Sequence, residues 1–206
     1  IEKQNWNEQW EKNVEPIIVD DKCLVRAAFH KIDKNYPYEI IITPKMSFGT
    51  GHHQTTHLML SAQMKMDHRG KRVMDAGCGT AILSVMASKL GATEVEAFDI
   101  DEWSVENGNE NVINNTCTNI HIQLGKINEV NLNGTFDIIL ANINKNILLA
   151  EMQQYSTFLK PGGELLLSGF YVKDIPDLKA EAAKYALQEV FHQERETWAC
   201  LLLKKQ

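Results

Sequence analysis

The chain has 206 residues, 44% of them hydrophobic, enough to bury one sizeable core and close to the usual size of a single domain. Its formal net charge of −6 argues against unaided binding of nucleic acid, which needs a basic face, and suits a basic protein substrate. No apolar run reaches the length of a membrane span and the polar start, IEKQNWNEQW, has no signal region, so a soluble cytoplasmic protein with no membrane partner is expected.

The chain opens on Ile1 rather than Met, as a piece of a longer chain would. Trp6 and Trp10 lie four apart with Val14 completing the stripe, which predicts a short amphipathic helix ending before Pro16. IIVDDKCLVRAAF (17–29) reads as two strands around Asp20 and Asp21, and PYEIIIT (37–43) as a third, together a small antiparallel layer. Residues 1–45 are therefore assigned to a linker helix with this layer, and 46–206 to the main domain. In MSFGTGHHQTTHLML (46–60), Gly49 and Gly51 flank Thr50, and Thr55 and Thr56 precede a segment with Leu58, Met59 and Ala62 at helical spacing. A glycine loop leading into a threonine-capped helix offers N–H groups and hydroxyls to a polar or anionic ligand group. His53 and His57 lie four apart, but no HExxH glutamate or cysteine–histidine pair accompanies them, so no metal is assigned.

The stretch RVMDAGCGTAILSVMASKLGATEVEAFDID (72–101) organises the rest. An apolar run ends in Asp75, a turn carries Gly77 and Gly79, a helix-period segment with Ile82, Leu83, Val85, Met86 and Leu90 closes at Gly91, and a second run ends at Asp99. This is one β-α-β unit. The glycine turn lets backbone N–H groups approach a ligand, and an acid at the tip of the next strand can accept two ribose hydroxyls. Dinucleotide binding wants glycines at the first, third and sixth positions, and the sixth here is Ile82. The four cysteines, Cys23, Cys78, Cys117 and Cys200, form no CxxC pair; Cys78 lies inside the turn, where a disulfide would obstruct a ligand, and all four read as free thiols.

Asp101 is a plausible N-cap for the helix in DEWSVENGNENVINN, which carries Val105 and Val112 on one face, while the asparagines at 107, 109, 111, 114 and 115 read as a solvated face. NIHIQLG follows as a strand. TFDIILANI (135–143) is almost uninterrupted in its apolar character, as expected for a strand covered on both faces, and its end places Asn142 beyond the carboxyl edge where α/β sheets bind ligands. A helix over 146–159 is stopped by Lys160, Pro161, Gly162 and Gly163; ELLLSGF is a strand, a helix spans 174–188, and LQEVFHQERE with TWACLLLKK must form a hairpin.

The acid-x-Gly-x-Gly-x-small spacing of Asp75, Gly77, Gly79 and Ala81 resembles the first motif of class I S-adenosylmethionine-dependent methyltransferases. SFGTGHHQTT, DAGCGTAIL with FDID, and LANI together resemble the bacterial ribosomal protein L11 methyltransferase (PrmA) family. That resemblance implies a Rossmann-like α/β fold: a mostly parallel seven-stranded sheet with a C-terminal antiparallel hairpin. It implies S-adenosylmethionine as cofactor, bound by Thr56, Gly77, Asp99 and Asn142, and by Gly79 and Asp75 in the glycine turn. It also implies an N-methyltransferase for lysine or α-amino groups of a ribosomal protein, with Asn142 or its neighbouring carbonyl orienting the amine. Family members carry a substrate-recognition domain ahead of the linker, and this sequence begins at the linker. Ala81 in place of the motif's last glycine, His52 and Gln54 in the threonine loop, and Asn144 after ANI depart from the family pattern.

Four other readings remain open at this level: a cofactor-binding module without turnover, a methyltransferase with another protein substrate, a nucleic-acid methyltransferase and a nicotinamide oxidoreductase. Against the nucleic-acid enzyme, Asn142 lacks the Pro-Pro-aromatic sequence that stacks a flipped base. Oligomeric state is not legible.

Overall fold

The computed structural model describes residues 15–44 and 54–206. The expected helix around Trp6 and Trp10 and the loop of Gly49, Thr50, Gly51, His52 and His53 lie outside the described residues.

β1 (Ile17–Val19) and β2 (Cys23–Ala27) form an antiparallel pair. Three residues join them, and Asp20 and Asp21, at φ 51° and 54°, are the left-handed central pair of a turn closed by the Lys22 N–H donating to the Val19 carbonyl at 3.0 Å. β3 (Tyr38–Ile42) pairs with β2 in parallel, from Cys23 opposite Tyr38 to Ala27 opposite Ile42. The expectation of an all-antiparallel layer is therefore corrected. The chain over 28–37 returns to the start of β2, where the Tyr38 N–H donates to the Lys22 carbonyl at 3.0 Å, so β3 runs in the direction of β2. Strand patterning carries no directional information, and only the return path decides it.

The main sheet has the order β6-β5-β4-β7-β8-β10-β9. β4 (Arg72–Ala76), β5 (Glu94–Asp99), β6 (Ile120–Leu124), β7 (Phe136–Asn142) and β8 (Leu159–Tyr171) run parallel. β10 (Trp198–Lys205) is antiparallel to both β8 and β9 (Leu187–Arg195), the expected terminal hairpin. Along β7 the side chains alternate between two cores. Ile138 and Leu140 join the core under α1 (Gln54–Gln63), α2 (Ile82–Lys89) and the small sheet. α3 (Glu102–Asn114) lies against β5 and β6. Phe136, Ile139 and Ala141 join the other core, under α4 (Lys145–Phe158) and α5 (Ile175–Ala183). A strand covered on both faces must be apolar at consecutive positions, which is why β7 shows no alternation in sequence.

Three boundaries differ from the sequence reading. Thr55 and Thr56 lie inside α1 and are buried, where precap positions are expected from the sequence. Lys160 to Gly163 are no free loop: Leu159 pairs with Phe136, the chain bulges, and pairing resumes with Glu164 opposite Ile138. The helix expected over 174–188 is a 3₁₀ turn (Val172–Asp174) followed by α5, with Pro176 in its first turn, and Leu187 already begins β9.

The asparagine-rich face is also corrected. Asn107, Asn111 and Asn115, four apart on α3 and its C-cap, are buried. Asn115 accepts from the Ile41 N–H at 2.8 Å and donates to the Ile41 carbonyl at 2.6 Å; Asn111 accepts from the Thr43 N–H at 2.8 Å. β3 is an edge strand, and these amides satisfy the backbone groups that a further strand would otherwise pair. The stripe reads as polar and solvated until the edge it serves is known.

Candidate functional site

β4 lies at the switch point of the sheet, with β5 on one side and β7 on the other, and the crevice beyond the carboxyl ends of these strands is where α/β sheets bind ligands. The turn from β4 into α2 takes Gly77 at φ 67°, Gly79 at φ 52° and Ala81 at φ 61°. A Cβ on Gly77 would come within 2.5 Å of Ile143 Cγ2, so close approach of the segment after β7 requires glycine there.

Ala81, where the family pattern has glycine, is the α2 N-cap and lies in the left-handed region. Its buried methyl has room because α3 carries Gly108: a Cβ on Gly108 would meet Ala81 Cβ at 3.3 Å and the Gly79 carbonyl at 3.2 Å. Replacement Ala81→Gly relieves about 1 kcal/mol of backbone strain and loses about 0.8 kcal/mol of methyl burial. Urea unfolding of that variant should therefore give a stability within about 0.5 kcal/mol of the parent.

Asp99 is tied to this turn. One carboxylate oxygen accepts from the Gly79 N–H at 2.8 Å and the other from the Asp101 N–H at 3.0 Å, and Asp101 in turn caps α3 by accepting from the Ser104 N–H at 3.2 Å. Each Asp99 oxygen keeps a lone pair for a ligand hydroxyl. Across the crevice, the Asn142 amide at the end of β7 donates to Thr56 Oγ1 at 3.4 Å. Its Oδ1 is buried and has no hydrogen-bond partner among the described residues.

Thr56, Gly77, Gly79, Asp99 and Asn142 thus line one cleft of about 420 Å³. A second hollow of about 510 Å³ shares Gly77, Asp99, Ile143 and Ile147 with it and adds Ile100 and Lys126. The expectation that Asp75 binds the cofactor directly is corrected, because its carboxyl is buried and does not line the cleft. It lies beneath the turn, fully buried, with one oxygen accepting from Ser84 Oγ at 2.6 Å and the other without a partner among the described residues. Burial pushes its carboxyl up to about 7, a push that the Ser84 hydrogen bond opposes and the Asp99 charge augments. Burial likewise raises the Cys78 thiol well above its ordinary value, with the Asp75 and Asp99 charges adding to it, and keeps it protonated. His57 lies on α1 with its basicity lowered by burial first and then by Arg195. No group of three metal-ligating side chains occurs among the described residues.

Several cleft residues carry no sequence signal of their own. Gly169 and Trp198 are brought in by the β8–β10 pairing and Ile147 by the first turn of α4, and of these Gly169 alone is marked, as a glycine interrupting an apolar strand.

A glycine turn at the switch point, an acid at the tip of the neighbouring strand and a reversed terminal hairpin define a class I S-adenosylmethionine-dependent methyltransferase. The comparisons are specific within that class. The chain belongs to the ribosomal protein L11 methyltransferase (PrmA) family, whose sequence profile matches residues 1–206. It is 52% identical over 200 residues to the ribosomal protein L11 methyltransferase of Porphyromonas gingivalis, covering 96% of this chain and 68% of that protein. The Phocaeicola vulgatus enzyme of the same name is 45% identical over 201 residues, covering 97% of this chain and 72% of that protein. The crystal structure of a ribosomal protein L11 methylase from Lactobacillus delbrueckii subsp. bulgaricus superposes with a TM-score of 0.84 at 26% identity, covering 94% of this chain and 99% of that one.

Proposed function

We propose that this chain methylates lysine or α-amino groups of ribosomal protein L11, with S-adenosylmethionine held at Thr56, Gly77, Gly79, Asp99 and Asn142 and with Asp75 supporting the turn from below. The observation that carries the reading is what lines one cleft: Asp99, with a spare lone pair on each carboxylate oxygen, and Asn142, whose buried Oδ1 has no partner among the described residues. These fit the cofactor's hydroxyl-rich nucleoside and an incoming N–H group.

When bound, the cofactor supplies a methyl group already activated on a sulfonium. Asp99 binds ribose hydroxyls. The Gly77 and Gly79 backbone permits close approach, and Thr56 orients the Asn142 amide through their hydrogen bond. Asn142 Oδ1 accepts an N–H of the acceptor amine and so holds its lone pair in line for attack. Ile82, Leu83, Ile143 and Ile147 line the walls and exclude water. Of the described residues on the main cleft, Asp99 is committed to the turn and the Cys78 thiol is held protonated by burial, and the reading gives the amine's proton to solvent before attack.

The test is methyl transfer from labelled S-adenosylmethionine to purified ribosomal protein L11, read by mass spectrometry. Asn142→Ala should lower kcat/KM about a hundredfold through loss of amine alignment. Asp99→Ala should instead weaken cofactor affinity about ten- to a hundredfold by calorimetry, the value of about 1.5–3 kcal/mol for hydrogen bonds to a charged group. Tight binding of NAD, or transfer to nucleic acid in place of protein, would overturn the reading.

A further inference from the structure

Apart from the cleft and the hollow beside it, there is a hollow that the methyl-transfer reading leaves unused. It measures about 580 Å³ and is lined by Tyr171, Val172, Lys173, Glu194, Glu196 and Thr197. An aromatic pair joins it to the cleft: Trp198 lines the cleft, Tyr171 lines the hollow, and their rings stack with centroids 4.3 Å apart at 28°. The pair is fixed by the sheet, because Trp198 and Tyr171 are opposite one another in the β8–β10 register.

We propose that this hollow is a second acceptor subsite, which takes a lysine or arginine residue flanking the amine to be methylated. The inference rests on the protein-methylation reading above. Tyr171 is 42% exposed, and a cation already sits over its ring: the Lys173 ammonium lies 5.6 Å from the centroid. That geometry shows a positive charge fits the ring face. The rim carries two carboxylates. Glu196 is engaged by the Gln54 amide at 3.1 Å, whereas the half-exposed Glu194 lies 3.6 Å from the His192 ring, beyond hydrogen-bond distance. The neighbouring Arg195 is held by Gln54 Oε1. Val172 and the Tyr171 ring offer apolar surface to the methylene stem of a long cationic side chain, and Glu194 receives its charge. A net charge of −6 on the whole chain attracts a basic acceptor in the same sense.

Within this subsite Lys173 competes with the acceptor's cation and Glu194 attracts it, so the two neutral substitutions should act in opposite directions. Steady-state methylation of ribosomal protein L11 at low ionic strength should show KM raised about threefold by Glu194→Gln and lowered about threefold by Lys173→Gln, as expected of exposed charge pairs. Both variants should keep the parent kcat and cofactor affinity, and both effects should vanish at high salt. Acceptors whose lysines and arginines flanking the methylated amine are changed to glutamine should lose the Glu194→Gln effect. Unchanged KM in both variants, shifts of the same sign, or indifference to the flanking residues would overturn the subsite while leaving the methylation reading intact. Absence of any transfer by the unaltered chain would overturn both.

Discussion

Replacing Gly169 by alanine is expected to cost about 4 kcal/mol of stability or to prevent folding, and to abolish methyl transfer in whatever protein folds. Gly169 sits near the end of β8 at φ 97°, a conformation that L side chains rarely adopt. An added Cβ would lie 2.1 Å from the Ile143 carbonyl oxygen, 2.7 Å from its carbon and 3.0 Å from its nitrogen. All three are backbone atoms, so no rotamer change relieves the overlap and the end of β7 must move. Asn142, paired with Ser168 in the same register, moves with it and loses its alignment to Thr56. Gly162 supplies the control: it has φ 76° and an added Cβ there would meet nothing within 4 Å, so Gly162→Ala should cost only about 1 kcal/mol of backbone strain. Urea unfolding of the two variants, with cofactor titration of each, separates the terms. Equal losses would show that the backbone dihedral alone sets the cost and that the Ile143 contact contributes nothing.

The parts of the site legible in sequence are those whose chemistry is local. Asp75, Gly77, Gly79 and Asp99 fall within one β-α-β unit, and each residue type is demanded by a backbone turn, a close approach or a strand tip. Asn142 is legible for a different reason, as the end of an apolar run long enough to be a central strand. Its contact with Thr56 spans 86 positions, and in sequence the two are joined only through the family resemblance. The features that sequence misplaces share one cause, a polar or punctuating residue whose partner is distant. Asn107, Asn111 and Asn115 serve the β3 edge more than sixty residues earlier, and the glycines at 162 and 163 are absorbed into a bulge against β7. The Tyr171–Trp198 stack likewise exists only in the register of β8 with β10. Periodicity reports which face of an element is apolar, and it says nothing of which buried face is polar by design.

Asp75→Asn should change sign with pH, destabilising the protein in acid and stabilising it in mild alkali. The Asp75 carboxyl is raised in the fold to about 7 from an ordinary 3.8, burial being the main cause. A raised carboxyl contributes stability in full below pH 3.8, and that contribution is lost as pH climbs through 7, because the unfolded chain releases its proton first. The span between the two values corresponds to about 4 kcal/mol. Asparagine does not titrate, so the effect of the substitution should move by about 4 kcal/mol between pH 4 and pH 8. Its second amide N–H, buried beside Ser84 where the described residues offer no partner, costs about 1–2 kcal/mol at every pH. The variant is then weaker than the parent at pH 4 and stronger by about 2 kcal/mol at pH 8. His68 makes the background visible. Burial lowers its ring to about 4, so its contribution is present above pH 6.5 and lost as pH falls through 4, opposite in slope to Asp75. The parent should therefore show a shallow stability profile between pH 4 and 6.5, and Asp75→Asn should expose the His68 slope as a steep rise with pH. Urea midpoints at half-unit intervals from pH 4 to 8 measure both. A substitution effect of constant sign and size across that range would mean that Asp75 is ionised in the fold throughout, held by a cation that the described residues do not include.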